Sequence, residues 1–153
     1  MCQGPGVLTF LKKEPYDGVE AKGGENMNIF SPKGFLLVGG AVLLVVGLLG
    51  FFGILIGPTP AQSIFGSAWY FDNAENLAHT VLGIAGLAAA FIFPAMWQKW
   101  LVILLGVVGV VVGIYSLLGQ SMLLGANLEN PADSILHLAV GAWALAAAFM
   151  VKK

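Results

Sequence analysis

Apolar residues fall into four long blocks separated by short polar or proline-containing stretches. The first opens at Ser31-Pro32, a good N-cap followed by proline at the first helical position. Its apolar run extends from Phe35 to Ile56 and stops at Gly57-Pro58-Thr59-Pro60. The second runs from about Asn73 to Phe93 and ends at Pro94; the third runs from Trp100 to about Leu118; the fourth runs from Pro131 to about Val151. A helix needs about 20 apolar residues to cross a bilayer, and each block predicts one crossing. The expected fold is all-α: a four-transmembrane-helix bundle over residues 31–153, built from two repeated helical hairpins, 31–94 and 98–153.

The repeat rests on one polar stripe that occurs twice. Glu75, His79 and Gly83 precede Leu87-Ala-Ala-Ala-Phe91; Asp133, His137 and Gly141 precede Leu145-Ala-Ala-Ala-Phe149. A single offset superposes the two. Acid, histidine and glycine stand four residues apart, which places them on one face of a helix and carries the histidine about 10 Å past the helix start. A weaker echo, Val45-Val46-Gly47 against Val111-Val112-Gly113, joins the first and third blocks.

Composition agrees with a membrane chain: 58% of residues are hydrophobic and 10% charged, against roughly 25% charged in soluble domains. Mean hydropathy is +0.88. Arginine is absent and the net charge is -1, which argues against nucleic-acid binding. Cys2 is the sole cysteine, so neither an intrachain disulfide nor a cysteine metal site is expected. Residues 1–30 read as a disordered cytosolic tail. Lys22-Gly-Gly-Glu also allows a purine-rich ribosome-binding sequence ahead of Met27, so a start at Met27, with 1–26 untranslated, is a second expectation.

The lysines set an expected orientation. Lys12, Lys13, Lys22 and Lys33 precede the first block, Lys99 lies between the second and third, and Lys152 and Lys153 follow the fourth. Loops 57–72 and 119–130 contain none. Lysine-rich segments stay cytoplasmic, which predicts both termini inside the cell membrane. Trp97 and Trp100 form the expected inner aromatic belt, and Trp69-Tyr70-Phe71 the outer one.

Several chemistries fit the stripes. Asp72 with Glu75, and Asn130 with Asp133 behind Pro131, resemble capping boxes. The histidines suit interhelical hydrogen bonding, and Gly83, Gly141, the Gly109-x-x-x-Gly113 pair and the Gly53-x-x-x-Gly57 pair suit close helix packing. Glu75, His79, Asp133 and His137 would also complete a tetrahedral zinc site. Two facing histidines suit a haem, and a buried imidazole pair suits a proton or small-solute path. No catalytic nucleophile–base set and no phosphate loop is present. The leading expectation is a non-enzymatic membrane component that acts by packing, with the lipid bilayer, a second copy or another membrane protein as partner. Metal or haem binding, and a solute path, are the alternatives.

Asn76-x-x-His79-x-x-x-Gly83, preceded by Phe71-Asp72-Asn73, and Gly47-Leu-Leu-Gly50-Phe51 in the block before it resemble a bacterial family of small four-helix membrane proteins known only as a domain of unknown function. The resemblance spans about 30–151 and is specific over 71–91. It implies a four-helix protein of the plasma membrane and supplies no activity. Ser134 stands where the second stripe would repeat Asn76.

Overall fold

A computed structural model describes Met1 and residues 27–150. The expectations for residues 1–26, for Lys12, Lys13 and Lys22, and for Val151, Lys152 and Lys153 lie outside the described residues. Four helices follow in order: α1 (Pro32–Phe51), α2 (Asn73–Ile92), α3 (Ala95–Leu117) and α4 (Ala132–Phe149). All four are long and apolar enough to cross a membrane, so the protein is an all-α, multi-pass four-helix bundle. α1 packs mainly on α2 and α3 on α4, and α1 alone makes extensive contact with both helices of the other pair.

Lipid supplies no hydrophobic drive between helices, so close backbone approach has to hold each pair. A Cβ on Gly83 would stand 2.5 Å from Leu44 N and 2.8 Å from Gly40 O; one on Gly141 would stand 2.8 Å from Val110 N and 2.9 Å from Gly106 O. A Cβ on Gly109 would stand 3.1 Å from Gly141 Cα, and one on Gly113 2.7 Å from Leu138 Cγ. These four glycines meet the facing helix closely. Gly53 and Gly57 do not: they lie beyond α1, and Gly40 and Gly47 provide the first pair's close approach instead. At the end of the bundle that carries the α2–α3 elbow, Phe35, Leu36, Ala89, Ala90, Val102, Ala144, Ala147 and Ala148 form the buried core.

Two boundaries differ from the hydropathy reading. α1 ends at Phe51 rather than near Ile56. Ile54 N donates to Leu49 O at 2.9 Å and Gly53 N to Gly50 O at 3.1 Å, and Gly53 takes φ +65°. This is a Schellman ending, which glycine at C′ favours, and it sends apolar residues 52–56 into the outer loop. α3 begins at Ala95, five residues before Trp100, because Gln98 Nε2 satisfies Ala90 O at 3.0 Å and Phe93 O at 2.9 Å across the α2–α3 elbow. The elbow then needs only Phe93 and Pro94. Trp97 and Trp100 next to it are exposed.

A short hairpin absent from the sequence reading caps the other end. β1 (Met122–Leu123) pairs antiparallel with β2 (Ala126–Asn127), Met122 opposite Asn127. Leu124 (φ 55°) and Gly125 (φ 90°) make its two-residue turn; positive φ at both positions matches the twist of a tight hairpin.

Candidate functional site: a carboxylate cluster above an interhelical cavity

The two stripes point inward. Glu75 and Asp133 are buried at 4% and 0% exposure. Glu129, one turn ahead of Asp133, joins them. Among the described residues these are the one potential metal-ligating group of three, with one oxygen from each within 4.8 Å of the others. His79 and His137 lie outside it, so the expected zinc set of two imidazoles and two carboxylates is not assembled. Both histidines instead line one cavity of about 390 Å³ with Glu75.

Each acid is held differently. Asp72 caps α2, its Oδ1 accepting from Ala74 N at 2.8 Å and Glu75 N at 2.9 Å, and Glu75 Oε2 accepts from Asp72 N at 3.0 Å. The first capping box is therefore present. The second is not. Asn130 Nδ2 turns away to donate to Ser116 O at 3.0 Å, satisfying a last-turn carbonyl of α3, and Pro131 at the cap offers no side-chain acceptor. Asp133 is occupied elsewhere: Glu129 N donates to Oδ2 at 2.7 Å and Trp69 Nε1 to Oδ1 at 2.9 Å.

That tryptophan contact corrects the expected outer belt. Trp69 reaches across to the second stripe, Tyr70 Oη accepts from Asn127 Nδ2 at 2.8 Å, and Phe71 is buried. Asn127 N in turn donates to Asp72 Oδ2 at 2.8 Å. Each pair's outer loop thus fastens the acid at the head of the other pair. Asn127 Nδ2 also donates to Glu129 Oε1, while Glu129 Oε2 is buried without a partner. Burial first, then the hydrogen bond and charge of Asp133, push the Glu129 carboxyl up to about 7. Burial, followed by the charges of Glu129, Asp72 and Glu75, raises the Tyr70 phenol.

The cavity is bounded by all four helices and roofed by Leu123, Leu124, Ala126 and Leu128. His137 Nδ1 lies 2.8 Å from Asp133 O. A carbonyl only accepts, so that nitrogen carries the hydrogen. His79 stacks at a tilt on Phe71, centroids 4.9 Å apart, with Nδ1 buried and unpartnered. Glu129 was missed by sequence reasoning, as was the Trp69 tie. Its signal was the four-residue step itself: Glu129, Asp133, His137 and Gly141 continue one spacing, where the first stripe has Phe71 in the matching place. No family model, curated protein or solved structure matches this chain.

Proposed function

We propose that the chain is a non-enzymatic protein of a bacterial plasma membrane that binds a small molecule in the cavity beneath the carboxylate cluster, on the extracytoplasmic side. The cavity carries this reading: about 390 Å³ between transmembrane helices, aliphatic walls, and three polar residues, Glu75, His79 and His137. Small-molecule sites are apolar concavities of about this size with a few placed polar groups. The lysine distribution supports both termini inside, and the Asn76-x-x-His79-x-x-x-Gly83 resemblance supports the bacterial setting. The matched contacts of Gly83 and Gly141 support descent of the two hairpins from one duplicated unit.

The test is ligand retention. Protein purified in mild detergent is extracted and analysed by mass spectrometry beside Ala78→Trp, which fills the cavity from its wall. A small molecule held by the wild type and lost from the folded variant is the expected result. Equal extracts, with no probe binding in either protein, would sink the reading.

A second reading, a bound cation, is favoured by the three clustered carboxylates. An all-oxygen donor set suits a hard ion such as Ca²⁺ better than zinc. Stoichiometric calcium in the wild type that disappears in Glu129→Gln would establish it. A haem between His79 and His137 predicts a Soret band that the double alanine variant lacks.

A further inference from the structure

We infer that the molecule held in the cavity is a hydrophobic organic cation, an apolar body carrying one quaternary or delocalised positive charge. The inference rests on the cavity reading above and narrows it.

The argument starts from what the site lacks. The lysines among the described residues are Lys33, just inside α1, and Lys99, beside the α2–α3 elbow, over the Phe149 ring. Both belong to the inner end of the bundle. Among the described residues no lysine lines the cavity, and Lys33 and Lys99 both sit away from the acids. Three carboxylates therefore share a low-dielectric region, where like charges repel strongly, and Glu129 Oε2, in a residue only 8% exposed, has no donor at all.

Apart from the two imidazoles, the donors suited to an anionic ligand are already committed. Trp143 Nε1 donates to Ile29 O at 3.0 Å, Trp69 Nε1 to Asp133, and Asp72 N to Glu75. What the cavity offers is one carboxylate, Glu75, two imidazoles, and aliphatic and aromatic walls. Glu75 is the one residue in both the cluster and the wall. Farther in, the Phe35 and Trp143 rings meet edge to face, centroids 4.6 Å apart, and aromatic faces attract cations.

A compact, strongly hydrated ion loses too much hydration to enter such walls. A cation whose charge is spread over an apolar body loses little and still offsets the cluster's negative charge. An anion of the same shape gains the same burial and meets the repulsion of the cluster.

Two isosteric probes separate these terms: tetraphenylphosphonium and tetraphenylborate, titrated into purified full-length protein in a nonionic detergent, with tryptophan emission and calorimetry as readouts. The phosphonium is expected to bind saturably, and the borate at least about tenfold more weakly, a difference of ~1.4 kcal/mol. Glu75→Gln is expected to weaken the phosphonium by a similar factor. That variant keeps the cap, because a glutamine oxygen accepts from Asp72 N as glutamate does. Glu129→Gln, outside the cavity wall and compared at pH 8, where the Glu129 carboxyl is ionised, gives a second charge-removing variant if the first fails to fold. Ala78→Trp should abolish binding.

Equal affinity for both probes, each lost in Ala78→Trp, would overturn the cation inference and leave the cavity reading standing. So would failure of both probes while the wild type alone retains an extracted neutral molecule. Phosphonium binding unchanged in Ala78→Trp would place it in the micelle and overturn the inference. No probe bound and no molecule retained would remove both readings.

Discussion

At the heart of the first helix pair Asn76 is fully buried against Gly50, whereas the matching place in the second pair holds Ser134 against Ser116. One pair divides the space unequally, a large amide facing no side chain; the other divides it between two small hydroxyls that hydrogen-bond at 2.8 Å. Asn76 Nδ2 instead donates to Phe71 O at 2.8 Å and ties the outer loop to α2. Total volume is kept while the polar partner changes, as close packing requires. The difference spreads outward. The first pair has a capping box and Phe71 above its histidine; the second has neither, and puts Glu129 there. Acid therefore accumulates on one side of the cavity mouth rather than symmetrically about it.

The largest expected effect tests what the pairs share. Gly83→Leu and Gly141→Leu both drive a side chain into backbone atoms that cannot yield. Each should cost about 3 kcal/mol or more, with a fall in the thermal midpoint in detergent of similar size for the two. A loss confined to one of them would show that the second contact is slack and the pairs less alike than their backbones.

Next comes an exchange of one pair's solution for the other's. Gly50→Ser alone places its Cβ onto Asn76 Oδ1 and should cost about 2–3 kcal/mol. Adding Asn76→Ser recreates the serine pair and should recover about half of that, because the strain is relieved while the Phe71 tie is lost. Strictly additive losses in the double variant would refute the claim that the two packings are interchangeable.

Much of the bundle was legible because hydrophobic length and the four-residue stripe are properties of single helices. The four spans followed from hydropathy, and the shared helix face of each acid–histidine–glycine stripe followed from its spacing. What escaped depends on contacts between segments far apart in the chain. Trp69 is 64 residues from Asp133, to which it donates. Nothing local tells an interfacial aromatic from one that turns inward. Asn130 looked like a cap until Ser116 O claimed its amide. Glu129 continues the stripe, yet it lies in the loop ahead of α4. The zinc expectation failed for a related reason: spacing fixes which face a histidine occupies, and leaves open how deep it lies relative to the acids of the other pair.

The crossed loops predict a third, intermediate effect. Trp69→Phe removes the indole donor to Asp133 and should cost about 2 kcal/mol, the scale of a hydrogen bond to a charged group. Asp72→Ala removes the α2 cap and the Asn127 tie and should cost about 1–2 kcal/mol. Since both ties hold the same cluster, the double variant should lose less than the sum. Full additivity would mean that the two loops act independently.

The smallest effect separates the acids by pH. Glu129 ordinarily titrates near 4.5 and is pushed up to about 7 in the folded protein, first by burial and then by Asp133. Asp133 faces it from α4, Glu75 from α2, and Tyr70 from the other loop. Between these two values the folded protein holds a proton that the unfolded chain has released. Stability therefore falls as pH rises from about 4.5 to about 7 and levels off above that, the reverse of an acid held by a cation. Glu129→Gln cannot ionise, so its midpoint should gain on the wild type across that window. Trp69 emission should report the change locally, because its donor bond ends on Asp133 beside Glu129. A constant wild-type-to-variant difference from pH 4.5 to 8 would mean that Glu129 is ionised throughout. The cluster would then need a bound cation to hold its charge.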